Sequence, residues 1–342
     1  MKESKVSELI DYTVPLTHDK FFCTMFSKFT DIANEFLRIV LPPKVLEVLD
    51  VDGLTVETGT FLNEVFKESR ADVVYRVPVR NSEKLICIYT FLEHKSSNDP
   101  VAVRQVFSYS VQFGDAEIKA AKDDNSGSVN ADFRLSLVIL IIIHHGRSRF
   151  TGATNVSEVY HKIEGLEEYL PQQKAILFDL NTIPEENLPF DGKRVQLGSV
   201  LWLMKNIFKM NIATRFNVVL ERLRPYSDIP LYSELIQGLW YYFSSRAKYQ
   251  RDGDVWKVNE TVKDILGEKT VSTILEKIGD KFRVESEAKL LIRSLTLRFG
   301  SPSESLTNRI RAITDISEID RLYDIAFYCE SIEAFEHEVE LP

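Results

Sequence analysis

Cysteine is scarce in this chain of 342 residues: Cys23, Cys87 and Cys329 are the three, and they lie far apart. No CxxC pair and no Cys/His cluster with metal-ligand spacing occurs, which excludes a zinc-finger type of site. An odd number of unpaired cysteines fits a reducing compartment, and Cys87, inside an apolar run, reads as a small core residue. Long hydrophobic runs are also missing. The most apolar stretch, Leu135 to Ile143, is nine residues, far below the ~20 that a membrane-spanning helix needs. Met1-Lys2-Glu3-Ser4-Lys5 leads into no hydrophobic signal core, so the expectation is a cytoplasmic protein with no membrane association. Basic excess is absent too. With 51 acidic against 42 basic residues the formal net charge is −9, so any nucleic-acid contact needs a local basic patch rather than bulk charge. There is no glycine-rich phosphate loop, no Ser/His/Asp or Cys/His set with nucleophile spacing, no low-complexity segment and no internal repeat.

What is present is ordinary globular material, 44% hydrophobic and 27% charged, enough for two domains and a small third unit. From His18 to Val40, Phe22, Met25, Phe26, Phe29, Ile32, Ala33, Phe36 and Leu37 recur at helical spacing, and Pro42-Pro43 ends the helix. Strands are expected at Leu54-Thr55-Val56, Thr60-Phe61-Leu62, Ala71–Val77 and Leu85–Leu92, with Pro78 marking an edge or bend. The cluster Ser96-Ser97-Asn98-Asp99-Pro100 is a turn and a helix start. A helix over 101–120, a polar loop over 123–130, and strands over Arg134–Ile143 and Ala175–Leu180 follow. The unbroken apolar character of the 134–143 run fits a strand covered on both faces. The first 180 residues thus predict an α/β sheet flanked by helices. From Arg194 onward the pattern is helical, with helices at Val195–Leu220, Leu231–Ser245, Val258–Gly279, Glu285–Phe299, Ser305–Thr314 and Ser317–Glu336. The implied partition is 1–190, 191–284 and 285–342. Trp202 and the run Trp240-Tyr241-Tyr242-Phe243 read as packing residues of the helical part.

The chemistry concentrates in a short segment. Asp72 opens one apolar strand, and Glu93-His94-Lys95 ends the next. Side chains alternate along a strand with period two, so Glu93 and Lys95 share a side at the polar end of a buried element. If the two strands pair, Asp72 joins them, and two carboxylates and an ammonium converge as in a metal-dependent phosphodiesterase. The tripeptide Glu-x-Lys means little by itself, since it also starts at Glu3, Glu117 and Glu287. Only at Glu93 does it follow an eight-residue apolar run, where an unpaired charge is costly. Gln105 and Tyr109, four apart on the next helix, share one face and supply neutral hydrogen-bonding groups near that strand end.

Asp…Glu-x-Lys…Gln-x-x-x-Tyr resembles the PD-(D/E)XK nuclease superfamily, in particular its RecB-like branch. More narrowly, the chain resembles the recombination-promoting nucleases, also described as YhgA-like transposases. The matching segments are His18-Asp19-Lys20-Phe21-Phe22, Phe36-Leu37 with Leu41-Pro42, Arg70 to Pro78, Leu92 to Ser97 and His144-His145-Gly146, within about residues 16–180. Leu297-Arg298-Phe299-Gly300, Pro302 and Arg309-Ile310 are similar to a small helical module found behind such nucleases. Three departures stand out. Ala71 precedes Asp72 where the superfamily often has Pro, Asn63 stands where many relatives carry an acid, and Lys95 is kept where many have Gln.

The resemblance implies a restriction-endonuclease-like core, an αβββαβ mixed sheet flanked by helices, followed by an all-helical C-terminal region. It implies Mg²⁺ or Mn²⁺ held by Asp72, Glu93 and the backbone carbonyl of His94, with Asp19 and then Glu35 as further acids. Asp19 reads equally as a helix N-cap. Lys95 then orients the attacking water and stabilises the transition state, and Gln105 and Tyr109 position phosphate or water. DNA is the implied substrate, with Arg76, Arg80 and Arg104, and the cluster Arg246-Lys248-Arg251, as candidate phosphate contacts. The implied activity is metal-dependent DNA endonuclease action in recombination, transposition or genome defence. The alternative, for which Asn63 speaks, is a catalytically inactive nuclease fold that binds DNA or a partner and self-associates through its helical region. His144 and His145, before Gly146, read as a turn.

Overall fold

The computed structural model describes residues 17–57, 72–82, 85–93, 99–124, 127–209, 212–247 and 255–338. For residues 72, 85–93, 124, 246, 247, 255, 277–282, 285 and 338 it describes the backbone alone. The expectations for Thr60-Phe61-Leu62, Asn63, Ala71, His94, Lys95, the Cys87 side chain and the Arg246-Lys248-Arg251 cluster lie outside these described residues.

Two compact units divide the chain, one over 16–265 and the other from Leu266 onward. The first is mixed α/β. Its elements are α1 (His18–Lys28), α2 (Thr30–Val40), α3 (Pro43–Val48), β1 (Thr55–Val56), β2 (Asp72–Pro78), β3 (Leu85–Glu93), α4 (Ala102–Asp124), β4 (Val138–His144), β5 (Ala175–Asp179), α5 (Val195–Asn206), α6 (Ala213–Leu223), α7 (Pro230–Ala247) and α8 (Val255–Leu266). Among the described residues the strands form one sheet in the order β1-β2-β3-β4-β5. The pairs β1–β2 and β2–β3 are antiparallel, whereas β3–β4 and β4–β5 are parallel. A parallel pair needs a crossover connection, and α4 supplies it between β3 and β4.

Alternation along the strands sorts the core into two layers. On one face Val74, Leu140, Ile142 and Ala175 pack with Val103 and Val106 of α4 and with Val156. On the other, Tyr75 donates from its hydroxyl to the Phe26 carbonyl of α1 at 2.8 Å. Phe178 there meets Phe36 of α2 edge-on at 5.0 Å. Leu140 through His144 are buried on both faces, as the apolar run predicts, although the strand starts at Val138 rather than Arg134. Helices α1 and α2 contact α7 and α5 respectively. The aromatic run Trp240-Tyr241-Tyr242-Phe243 is fully or almost fully buried.

Several expected helices are broken. The 18–40 stretch is two helices with Phe29 between them, at φ −100° and ψ 84°. Phe29 is wholly buried; the break turns both apolar faces inward, and no Pro or Gly announces it. Likewise 195–220 is α5 and α6, separated at 207–212 after Asn206, whose amide turns back to the Trp202 carbonyl at 2.9 Å. The expected 258–279 helix is cut at Gly267, where φ is +86°, a conformation that glycine alone adopts without strain. Gly279 instead lies inside the long helix α9 (Glu268–Phe299).

The second unit is helical. After α9 come α10 (Glu304–Ala312), α11 (Ile316–Tyr328) and α12 (Ile332–Glu338). The expected 317–336 helix is thus two. Leu291, Leu295, Leu306, Ile310, Ile319, Leu322 and Phe335 form the unit's own core. Arg298 donates to the Phe327 carbonyl at 2.7 Å, satisfying an orphan acceptor at the end of α11. No described helix is long and apolar enough to cross a membrane.

Gly198 of α5 lies where an added Cβ would overlap the backbone carbonyl of Pro189. Neither a helix nor a carbonyl yields cheaply. Gly198→Ala is therefore expected to destabilise the first unit by about 1–3 kcal/mol, read as a lowered midpoint in denaturant unfolding with an unchanged slope.

Candidate active site

Register decides which residues meet at the end of the sheet. Asp72 is paired with Phe91, two positions before Glu93. Across β3, Glu93 is paired with His144, and His144 in turn with Asp179. Residues directly opposite one another occupy the same face, and residues two apart on a strand do so too. Asp72, Glu93, His144 and Asp179 therefore occupy one face at one end of the sheet, where β2 begins and β3, β4 and β5 finish. That face carries α4.

The start of α4 is set by the turn after β3. The Asp99 carboxylate accepts from the Val101 N–H at 3.0 Å, which satisfies one orphan donor of the first turn. Val103 and Val106 face the sheet, and Tyr109 packs partly against the same cluster. Gln105 is exposed, and its amide donates to the Tyr109 hydroxyl at 2.9 Å. The expected pairing of these two on one helix face is thus a direct hydrogen bond.

Asp179 has a structural task. Its carboxylate accepts the Phe150 N–H at 2.8 Å and the Asn181 N–H at 2.9 Å. The Asn181 amide reaches the carbonyls of Gly146 and Ser148 at 3.1 and 2.8 Å. Together they fix the loop over 145–150. His144, 2% exposed, has Nε2 at 2.8 Å from the Ser148 carbonyl, and the Phe150 ring packs against its imidazole at 5.3 Å. The expected turn begins only at Gly146; both histidines are buried.

His145 belongs to the other layer. It bonds the Met204 carbonyl through Nε2 and stacks on Phe208 at 5.0 Å. The His18 ring lies edge-on to it at 5.1 Å, and His18 is hydrogen-bonded to Tyr242. Two sequence motifs far apart in the chain, His18-Asp19 and His144-His145, thus meet at one end of β4. The N-cap of α1 is Thr17, whose hydroxyl accepts from the Lys20 N–H at 3.2 Å, rather than Asp19. Asp19 sits in the first turn, where its charge suits the helix dipole. Glu35 faces Arg38 one turn on, at 3.7 Å.

The candidate phosphate contacts differ in freedom. Arg76 is held by Glu57 and lies over the Phe113 ring at 5.8 Å. Arg80 is 3.7 Å from Asp50. Arg104, beside Gln105, is exposed. Sequence reasoning missed Arg147, exposed in the loop after β4 and 5.5 Å over the Phe208 ring. Its place directly after His144-His145-Gly146 was the available signal. Lys205 donates to the Leu180 carbonyl at 2.6 Å, and burial together with neighbouring Lys209 holds its pKa below the usual lysine value. Among the described residues no three His, Cys, Asp or Glu side chains form a metal-binding group; the side chains of Asp72 and Glu93 lie outside that set.

The family model described as "Putative transposase, YhgA-like" matches residues 16–229. The chain belongs to this family. Its relatives include the "Putative inactive recombination-promoting nuclease-like protein YjiP" of Escherichia coli K12, 29% identical over 103 residues, which are 30% of this chain and 97% of YjiP. The recombination-promoting nuclease RpnD of Escherichia coli O157:H7 is 27% identical over 138 residues, 40% of this chain and 48% of RpnD. RpnC of Escherichia coli K12 is 27% identical over 131 residues, 38% of this chain and 39% of RpnC. The match thus spans less than half of each of these two nucleases. No solved structure matches the chain.

Removing the Asp179 carboxylate should free the 145–150 loop. Hydrogen bonds to a charged acceptor contribute about 1.5–3 kcal/mol each, so Asp179→Ala is expected to cost about 2–4 kcal/mol in unfolding free energy. Native-state hydrogen exchange should show lost protection at the Phe150 amide; protection unchanged there would contradict the tethering role.

Proposed function

We propose that the protein is a metal-dependent DNA endonuclease of the PD-(D/E)XK type, with its site at the sheet end occupied by Asp72, Glu93 and Lys95. The observation that carries this reading is the register: Asp72 and Glu93 fall on one face of adjacent antiparallel strands, two positions apart, beneath the helix that bears Gln105 and Tyr109. The sheet, three antiparallel strands followed by two parallel ones with a helical crossover, agrees with a restriction-endonuclease-like core. The names of RpnD and RpnC support nuclease chemistry.

The residues present fit a divalent cation. Two acids share one face, and a buried imidazole nitrogen of neighbouring His144 has no hydrogen-bond partner among the described residues. Asp72, Glu93 and the His94 carbonyl would hold Mg²⁺ or Mn²⁺. When bound, the ion supplies Lewis-acid polarisation of a phosphate oxygen and acidifies a ligated water. Lys95 orients the attacking water and offsets charge that develops on the phosphate. Gln105 and Tyr109, already hydrogen-bonded to each other, orient the phosphate from the α4 side. Arg104 and Arg147 contact backbone phosphates, which positions DNA without reading its sequence.

A second reading, a nuclease fold that binds DNA without cutting it, is favoured by Asn63 in place of an acid and by the word "inactive" in the name of YjiP. Both readings are tested by incubating purified protein with supercoiled and linear DNA in Mg²⁺ or Mn²⁺. Cleavage is expected, and Asp72→Ala and Lys95→Ala should each reduce it by about 10²–10³-fold or more while circular dichroism stays native. Cleavage by both variants at the wild-type rate would rule out this site. DNA retention without cleavage under every divalent ion would leave the binding protein.

A further inference from the structure

The two ring nitrogens of His144 are unequally engaged. A carbonyl oxygen only accepts, so the 2.8 Å contact to Ser148 places a proton on Nε2. A neutral imidazole has one such proton, and its other nitrogen then carries a lone pair. In His144 that nitrogen, Nδ1, is buried and has no hydrogen-bond partner among the described residues. Leaving a buried polar atom unsatisfied is unfavourable, so the native state gains from anything that engages Nδ1.

Position narrows what that is. The residue paired with His144 across β3 is Glu93, and both lie on the face and at the sheet end of Asp72. On its other side His144 is paired with Asp179, whose carboxylate oxygens already accept backbone N–H groups. The imidazole is held in place by Ser148 and by the Phe150 ring, on a loop that Asp179 and Asn181 pin. Histidines that bind metal almost always donate their second ring N–H to a carboxylate, a carbonyl or water, which fixes the tautomer and aims the free nitrogen. His144 has that arrangement already built.

We propose that His144 Nδ1 is a nitrogen ligand of the divalent cation at the Asp72–Glu93 sheet end, and that it biases the site toward Mn²⁺ over Mg²⁺. The inference rests on the metal-dependent reading of that site. Its chemical content is separate: Mg²⁺ is served by oxygen donors, whereas imidazole favours transition ions.

The test reads binding rather than turnover. Full-length wild-type protein is titrated with Mn²⁺ and with Mg²⁺ by calorimetry, and the Mn²⁺ complex is measured by pulsed electron paramagnetic resonance. Expected are a Mn²⁺ affinity at least about tenfold above that for Mg²⁺ and ¹⁴N modulation from a directly bound imidazole. His144→Asn should abolish the modulation and weaken Mn²⁺ at least about tenfold, with Mg²⁺ binding little changed; His94→Asn should leave the modulation intact. Mn²⁺ bound without ¹⁴N modulation in the wild type overturns the proposal, and needs no variant. Modulation that persists in a folded His144→Asn also overturns it. If Asp72→Ala leaves divalent binding unchanged, the ion is elsewhere, and the nuclease-site reading fails together with this one.

Discussion

The double-sided burial of β4 is the constraint on which the first unit depends. Leu140 through His144 have no solvent-facing side, so each face of the sheet must be covered and each edge of β4 must be paired. Parallel pairing to β3 and β5 meets the second requirement. It also forces the chain to cross from the end of β3 to the start of β4, and α4 makes that crossing. The same crossover puts the first turns of α4 just after Glu93. The place of Gln105 and Tyr109 in the first turns of the helix that follows β3 is therefore a result of how β4 is buried. The opposite face is closed by α1 and α2, which in turn pack on α7 and α5. That is why the helices between residues 194 and 265 belong to the same compact unit as the sheet.

A buried sheet end with several polar residues must account for their charge. Asp179 does so internally, through backbone N–H donors from Phe150 and Asn181. His144 does so by half, with Nε2 engaged and Nδ1 open. Carboxylates grouped on one face repel each other and resist desolvation unless a positive charge joins them. The proposed divalent cation and Lys95 would supply such charge.

Strand placement was legible in the sequence because period-two and unbroken apolar runs report burial directly. β2 and β3 begin and end within a residue or so of where the pattern puts them. The pairing of Asp72 with Phe91, two residues before Glu93, follows from the antiparallel register of β2 and β3. Helix breaks were not legible where no Pro or Gly marks them. Phe29 and the segment after Asn206 interrupt helices whose apolar spacing continues across the break, because tertiary packing, not local propensity, places the turn. Gly267 was visible as a residue, but only its φ of +86° shows that it ends a helix. The histidines at the end of β4 read as a turn because their burial depends on contacts that spacing does not show, with Ser148 for His144 and with Met204, far away in sequence, for His145.

The family match and the compact units do not share a boundary. The family match ends at residue 229, while the compact unit that holds the sheet continues to Ile265. α7 and α8 complete that unit, with Trp240 of α7 bonded to Asn259 of α8 at 2.9 Å. The unit from Leu266 onward has a separate core and lies beyond the match. It also exposes Leu297, Phe327 and Tyr328. A fold carries many functions, and chemistry belongs to the site that the fold positions. The proposed site draws on β2, β3, β4 and α4, which all belong to the first unit.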